Sequence, residues 1–300
     1  MPTHRNDGTS AARGPRVTPA AFSYARPESV ADAIALLRER QTDARILAGG
    51  QSLVPLLAQR ILRPGLIIDI NRIAELDELV QESDHIRMGA LVRQEAARTS
   101  PLVRMQVPGL SEALDWVANP VIRERGTVVG NLIANTPGSE LPAVALALGA
   151  RFAIRDADGE RLVAAAEILG AGRRLAPDSL VTHVLWPRNP GRGGFYEVAR
   201  RDGHAPVVGA MISMSAERCR VGLCGVAAVG LTCPSVGAAI ARRFPAAPDT
   251  SEIDRLLERD LGVVDTDTTF GTAFVGAEYR RRVAPVVIQR AIAAAGAGRP

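Results

Sequence analysis

Two short stretches of this chain carry the residue types that hold phosphate. The first is Ala48-Gly49-Gly50-Gln51-Ser52-Leu53, and the second is Gly126-Thr127-Val128-Val129-Gly130-Asn131. Each sets apolar residues on one side of its glycines and small, hydroxyl or amide residues on the other. Bare backbone N–H groups bind phosphate oxygens, and glycine lets a ligand come close to the backbone. Two such stretches predict two glycine turns around one pyrophosphate, and so a nucleotide cofactor. Taken alone, the stretch is a weak signal, since a Gly-Gly pair between strand and helix is most often just a tight turn. A helix starting at Ser52 would add free N–H groups and a positive dipole end facing the anion. No Gly-x-Gly-x-x-Gly closed by an acidic residue is present, which disfavours a Rossmann site. No Gly-Lys-Ser/Thr follows the glycines, which excludes a Walker A loop there.

Nine residues after Asn131 stands Glu140, within Thr136-Pro137-Gly138-Ser139-Glu140-Leu141-Pro142. A carboxylate just ahead of a helix either caps its N-terminus or accepts hydrogen bonds from ligand hydroxyls. The residues leave both readings open. Little else in the chain suggests chemistry. Cys219, Cys224 and Cys233 are odd in number and loosely spaced, so they read as buried thiols. An iron–sulfur cluster takes about four thiolates, more than this chain has. His4, His85, His183 and His204 are scattered and form no metal-ligand pair.

The elements that must position these residues follow from periodicity. Ser29 caps an amphipathic helix over about 28–40. Residues 45–48 form a strand ending at Gly49-Gly50, a helix follows at 52–60, and residues 66–70 form a buried strand. A strand at 85–90 and a helix at 111–117 precede the second glycine stretch. An Ala-rich helix over 141–148 is closed by Gly149. Residues 151–155 and 160–163 form a hairpin around Asp156-Ala157-Asp158-Gly159, and 180–186 form another strand. The turn formers of 187–194 read as a linker. Beyond them come paired strands at 210–216 and 218–229, helices at 235–243 and 251–259, and a long terminal helix over 279–295.

Composition sets the class. With 300 residues, 47% hydrophobic and 23% charged, the chain suits a globular protein of two modest domains. The net charge of +4 is weak and its arginines are dispersed, which argues against nucleic acid as a partner. No apolar run reaches the roughly 18–20 residues of a membrane span. Residues 1–20 have no apolar core and read as a disordered leader rather than a signal peptide, so a cytoplasmic location is expected.

Four segments in order resemble the FAD-binding medium subunit of the molybdenum hydroxylases, the carbon monoxide dehydrogenase and xanthine dehydrogenase family. They are Ala48–Leu56 with the strand at 66–70, Ile122–Leu132 with the element at 137–142, Leu175–Leu180, and Phe195–Gly203. The resemblance runs from about residue 21 to 295. It departs in two places. Val129 stands where the family has a second glycine, and Gly203-His204-Ala205-Pro206 replaces Gly-Asp-Phe-Ala.

The resemblance implies an α+β fold. Its two-lobed FAD-binding domain of the vanillyl-alcohol-oxidase (PCMH) type would span 21–187. A linker at 188–194 would lead to a smaller α+β domain at 195–296, like the C-terminal domain of carbon monoxide dehydrogenase flavoproteins. It further implies that Ala48, Gly49, Gly50, Gln51, Ser52 and Leu53 hold the pyrophosphate of FAD. Thr127, Gly130 and Asn131 would form the cradle's other side, Thr136 and Glu140 would lie near flavin or ribose, and Leu180 or Val181 would pack on the ring system. Arg200 and Arg201 would face reduced flavin, a partner surface or solvent. No catalytic residue and no metal ligand is expected in this chain. The molybdenum cofactor would lie in a large partner subunit and 2Fe–2S clusters in a small one, the whole arranged as a dimer of heterotrimers. FAD would collect their electrons for an external acceptor. Two rivals remain: a self-contained flavoprotein oxidase of this fold, and a non-catalytic assembly subunit with a degenerate flavin site.

Overall fold

The computed structural model describes residues 18–170, 175–188, 191–215, 218–244, 246–262 and 275–297. The leader expected over 1–20 falls outside the described residues up to position 17. Ser29 caps the first helix, Val30–Arg40, by accepting a hydrogen bond from the Asp32 N–H at 3.1 Å. Val30, Ala33, Ile34 and Leu37 are its buried face, at the spacing that places residues on one side of a helix. The adjoining parallel sheet has Leu66–Asp69 at its centre, between Ser23–Ala25 and Ala44–Leu47. All four residues of the central strand are buried, as expected when both faces of a parallel sheet are covered.

The second lobe is built on a five-stranded antiparallel sheet. Its order is Leu79–Gln81, His85–Gly89, Leu180–Pro187, Arg151–Asp156 and Gly159–Ala164. The last two strands are the expected hairpin. The strand Leu180–Pro187 returns to lie between two strands that both precede it in the chain, His85–Gly89 and Arg151–Asp156. Its register against Arg151–Asp156 shifts between Ala153 and Ile154. This irregularity lies beside Val181, and such bulges re-aim side chains near binding sites.

A four-stranded antiparallel sheet follows, in the order Leu231–Thr232, Cys219–Cys224, Pro206–Met214 and Arg192–Ala199. Helices Pro234–Arg243, Thr250–Leu261 and Ala277–Ala297 accompany it. Its apolar residues form a core separate from that of the two preceding lobes. Phe195 and Met211 belong to the first core, so the C-terminal sheet is packed onto the lobes rather than tethered to them. The helix Glu140–Leu148 is buried along its whole length because it lies between the lobes and this sheet.

Several local expectations shift. Residues 192–194, expected as linker, open a strand paired with Ile212–Met214. Glycine signals a turn in isolation, but here Gly194 lies where the terminal helix comes close to the sheet, leaving no room for a side chain beside Ala291 and Ala295. The strand expected over 218–229 ends at Cys224, and the helix expected over 111–117 runs Pro108–Leu114. Cys219 and Cys224 are buried in a strand, whereas buried Cys233 precedes a helix. Among the described residues, no helix is long and apolar enough to cross a membrane.

Candidate functional site

The strand Ala44–Leu47 delivers the chain into the first glycine stretch, where Gly50 adopts a left-handed φ of 73°. A helix follows over Leu53–Ala58, shorter than the expected 52–60. Ser52 is its N-cap residue, but its side chain makes no capping bond. Among the described residues, no acceptor reaches the backbone N–H groups of 49–53. They form a concentrated set of free donors, which is what a phosphate requires.

The second stretch is built differently from the expected glycine turn. Gly126 ends the helix Pro120–Arg125 with an ordinary φ of −62°. Thr127 then caps a new helix, Val128–Ala134, and Gly130 lies inside it. The Gly130 N–H is taken by Thr127 Oγ1 at 3.0 Å. Gly130 therefore offers an open surface but no free donor. Val129, which replaces a glycine of the resembling family, is turned into the core and only 3% exposed.

The two stretches touch. A Cβ on Gly49 would lie 2.4 Å from the Arg125 carbonyl oxygen and 3.0 Å from the Thr127 nitrogen. Around this crossing lies a cleft of about 690 Å³, within the usual range of about 300–1,000 Å³ for ligand pockets. Ala48, Gly49, Gly50, Gln51, Ser52 and Leu53 line one side, and Thr127, Gly130 and Asn131 line the other. Thr136 and Glu140 line it where the second lobe meets the C-terminal domain, and Leu180 and Val181 supply apolar wall. Every site residue expected from the sequence thus borders one cavity. Arg200 and Arg201 are exposed and do not line it; Gly203 and Ala205 of the following loop do.

The lining contains unanswered polar atoms. Asn131 Oδ1 and Gln94 Oε1 are buried acceptors with no hydrogen-bond partner among the described residues. Such atoms are costly unless a ligand or water donates to them. Free N–H groups for phosphates, orphan acceptors for hydroxyls and apolar walls for rings together fit FAD. Gln94 was missed at the sequence level because it belongs to no motif; it follows the buried apolar run Ala90-Leu91-Val92 and Arg93. The neighbouring Arg123 also proves structural. It bonds Glu95 at 2.7 Å and the Val117 and Ala118 carbonyls at 2.9 Å. Hydrogen bonds from Arg98 and Arg123 hold the Glu95 carboxyl down at about 2.

Glu140 is the first residue of its helix and only 4% exposed, and burial pushes its carboxyl up to about 7. Behind it, Glu197 on the strand Arg192–Ala199 is pushed up to about 9 by burial and by Glu140. Among the described residues, Glu197 Oε2 has no hydrogen-bond partner. In both cases the folded chain keeps a proton that the unfolded chain releases above about pH 4.5. This contribution therefore favours folding in acid and is lost as pH rises toward the folded values. Glu197→Gln removes the larger of the two. Its melting temperature should exceed that of wild type by about 2–4 °C at pH 8 for each kcal/mol recovered, with almost no gain at about pH 4, below the unfolded value. Equal melting curves at both pH values would contradict a buried, neutral Glu197.

Two lobes closing over a cleft of free N–H donors, orphan acceptors and apolar walls define a nucleotide-cofactor-binding protein of α+β class. A family model described as "FAD binding domain in molybdopterin dehydrogenase" matches residues 20–189. The caffeine dehydrogenase subunit beta of Pseudomonas sp. strain CBB1 is 36% identical over 92% of this chain and 95% of that protein. The carbon monoxide dehydrogenase medium chain of Afipia carboxidovorans is 31% identical over 91% and 96%. The structure of quinoline 2-oxidoreductase from Pseudomonas putida 86 superposes with a TM-score of 0.82 at 30% identity, covering 93% of this chain and 99% of that one. The chain belongs to the FAD-binding subunits of the molybdenum hydroxylase family, and is an oxidoreductase flavoprotein subunit.

Proposed function

We propose that this chain is the medium subunit of a heteromeric molybdenum hydroxylase and carries electrons through FAD from a partner's 2Fe–2S clusters to an external acceptor. The observation that carries this reading is the crossing of the two glycine-bearing stretches at Gly49, which puts free N–H donors and orphan acceptors on one cleft. When bound, FAD supplies the exchange between single-electron carriers and a two-electron acceptor. The chain's own residues bind and orient it. The N–H groups of 49–53 hold the pyrophosphate, with Thr127, Gly130 and Asn131 opposite. Asn131 Oδ1 accepts from a sugar or ribityl hydroxyl. Thr136 and Glu140 lie toward the ribityl chain or ring, and Leu180 and Val181 exclude water from the ring face.

The domain limits of 21–187 and 195–296, the large and small partners, the dimer of heterotrimers and a cytoplasmic location belong to the same proposal. Among the described residues, no acid–base pair in the cleft is placed to work on an organic substrate, which favours a partner subunit as the place where substrate reacts. Purification from the native host tests this reading. The expected product is a yellow-brown complex of three polypeptides containing flavin, iron and molybdenum. A yellow chain that turns over substrate alone, or a colourless one that takes up no added FAD, would overturn it.

A further inference from the structure

The two cofactor-lining stretches belong to different lobes, and backbone contact at Gly49 alone does not hold them in register. A chain of side-chain bonds does. Asn71, just beyond the central strand of the first sheet, donates through Nδ2 to the Ala48 carbonyl at 2.9 Å and, more weakly, to that of Leu47 at 3.4 Å. Its Oδ1 accepts from Arg93 Nη2 at 2.7 Å. Arg93 Nη1 donates in turn to the Arg125 carbonyl at 2.8 Å. That carbonyl is the same oxygen that sits against Gly49. Two side chains therefore join the residue entering the first stretch to the residue entering the second.

Both ends of the bridge are fixed. Asp69 Oδ1 accepts from the Asn71 backbone N–H at 2.9 Å and from Nδ2 at 2.6 Å, while Tyr24 bonds Asp69 Oδ2. Arg93 sits in a short antiparallel bridge to Thr127, flanked by bonds from Gln94 N to Gly126 O at 2.8 Å and from Val128 N to Val92 O at 3.1 Å. Among the described residues, no carboxylate forms an ion pair with Arg93. Its acceptors are one amide oxygen and one carbonyl. A cation held by neutral oxygens keeps its field for a nearby anion, and a guanidinium can span two acceptors at once, as an ammonium cannot.

We propose that Asn71 and Arg93 are positioning residues that clamp the two stretches at the spacing a pyrophosphate needs, with Arg93 supplying positive field to the cradle from outside the cleft. This rests on the FAD reading above. The test is fluorescence titration of the flavin-stripped full chain with FAD, at several salt concentrations, beside melting curves of the stripped protein. Arg93→Met should weaken FAD binding about tenfold or more and flatten its dependence on salt. Arg93→Lys keeps the charge but cannot span both oxygens, so it should retain the salt dependence with intermediate affinity. Because both residues act through one bridge, Asn71→Ala combined with Arg93→Met should bind within about twofold of Arg93→Met alone. A purely structural role would lower the melting temperature without changing the salt dependence. Wild-type protein that takes up no FAD would overturn the cofactor reading and the clamp with it. Wild type that binds FAD, with Arg93→Met matching it in affinity and salt dependence, would overturn the clamp alone.

Discussion

Gly50→Val should strip the chain of FAD, lowering the flavin-to-protein ratio of purified material more than tenfold while the fold survives. Two effects combine. Gly50 has a φ of 73°, and a residue with a Cβ pays roughly 1–2 kcal/mol there, more when β-branched. The second effect is access. The N–H groups of 49–53 have no acceptor among the described residues, and a branched side chain in their midst keeps a phosphate away from them. Local protein crowding is milder, since a Cβ would meet only the side-chain ends of Val54 at 3.1 Å and Leu47 at 3.3 Å. Gly50→Asn separates the two effects. Asparagine tolerates the left-handed region, so its strain is smaller, but its side chain still occupies the approach. Absorbance at the flavin band and melting curves of both variants are the measurements. Loss of flavin in Val but not Asn would assign the effect to strain. Normal flavin in both would remove the pyrophosphate from this turn.

Gly49→Ala should act through the protein itself. Its Cβ would sit 2.4 Å from a carbonyl oxygen and 2.9 Å from the Gly126 Cα, both backbone atoms that cannot swing away. The lobes must separate or the turn must deform. Overpacking of this kind costs about 1–3 kcal/mol, which corresponds to a melting temperature lower by several degrees. Flavin retention should fall with it, because the spacing of the two stretches changes. The contrast between neighbours is the diagnostic result: position 49 lowers the stability of flavin-free protein, and position 50 chiefly lowers its affinity for FAD. Unchanged stability in Gly49→Ala would show that the two stretches are not in contact.

Much of the local architecture was legible because local rules govern it. The Ser29 cap, the helix Glu140–Leu148 with Gly149 after it, and the hairpin at Asp156–Gly159 each follow from a few adjacent residues. The second stretch was misread because glycine is ambiguous. Gly126 and Gly130 suggest a turn, but Thr127 can cap a helix, and five apolar residues of Val128–Ala134 find burial or partial burial that favours one. Gly193 and Gly194 misled in the opposite way, because the need for a close helix approach is invisible without the terminal helix.

The sequence by itself determined the chemistry on offer: glycines beside hydroxyl and amide groups, a carboxylate ahead of a helix, and an order of motifs that points to FAD. Tertiary structure decided which of those groups are free. Whether an N–H is available to a phosphate depends on whether some other atom has already taken it. Thr127 takes that of Gly130, and nothing described takes those of 49–53. It also decided the distance between the two stretches, set by Gly49 against the Arg125 carbonyl and by Asn71 and Arg93 across the gap. Those contacts join residues far apart in the chain, and hydrogen bonding and steric exclusion act on separation in space rather than in sequence.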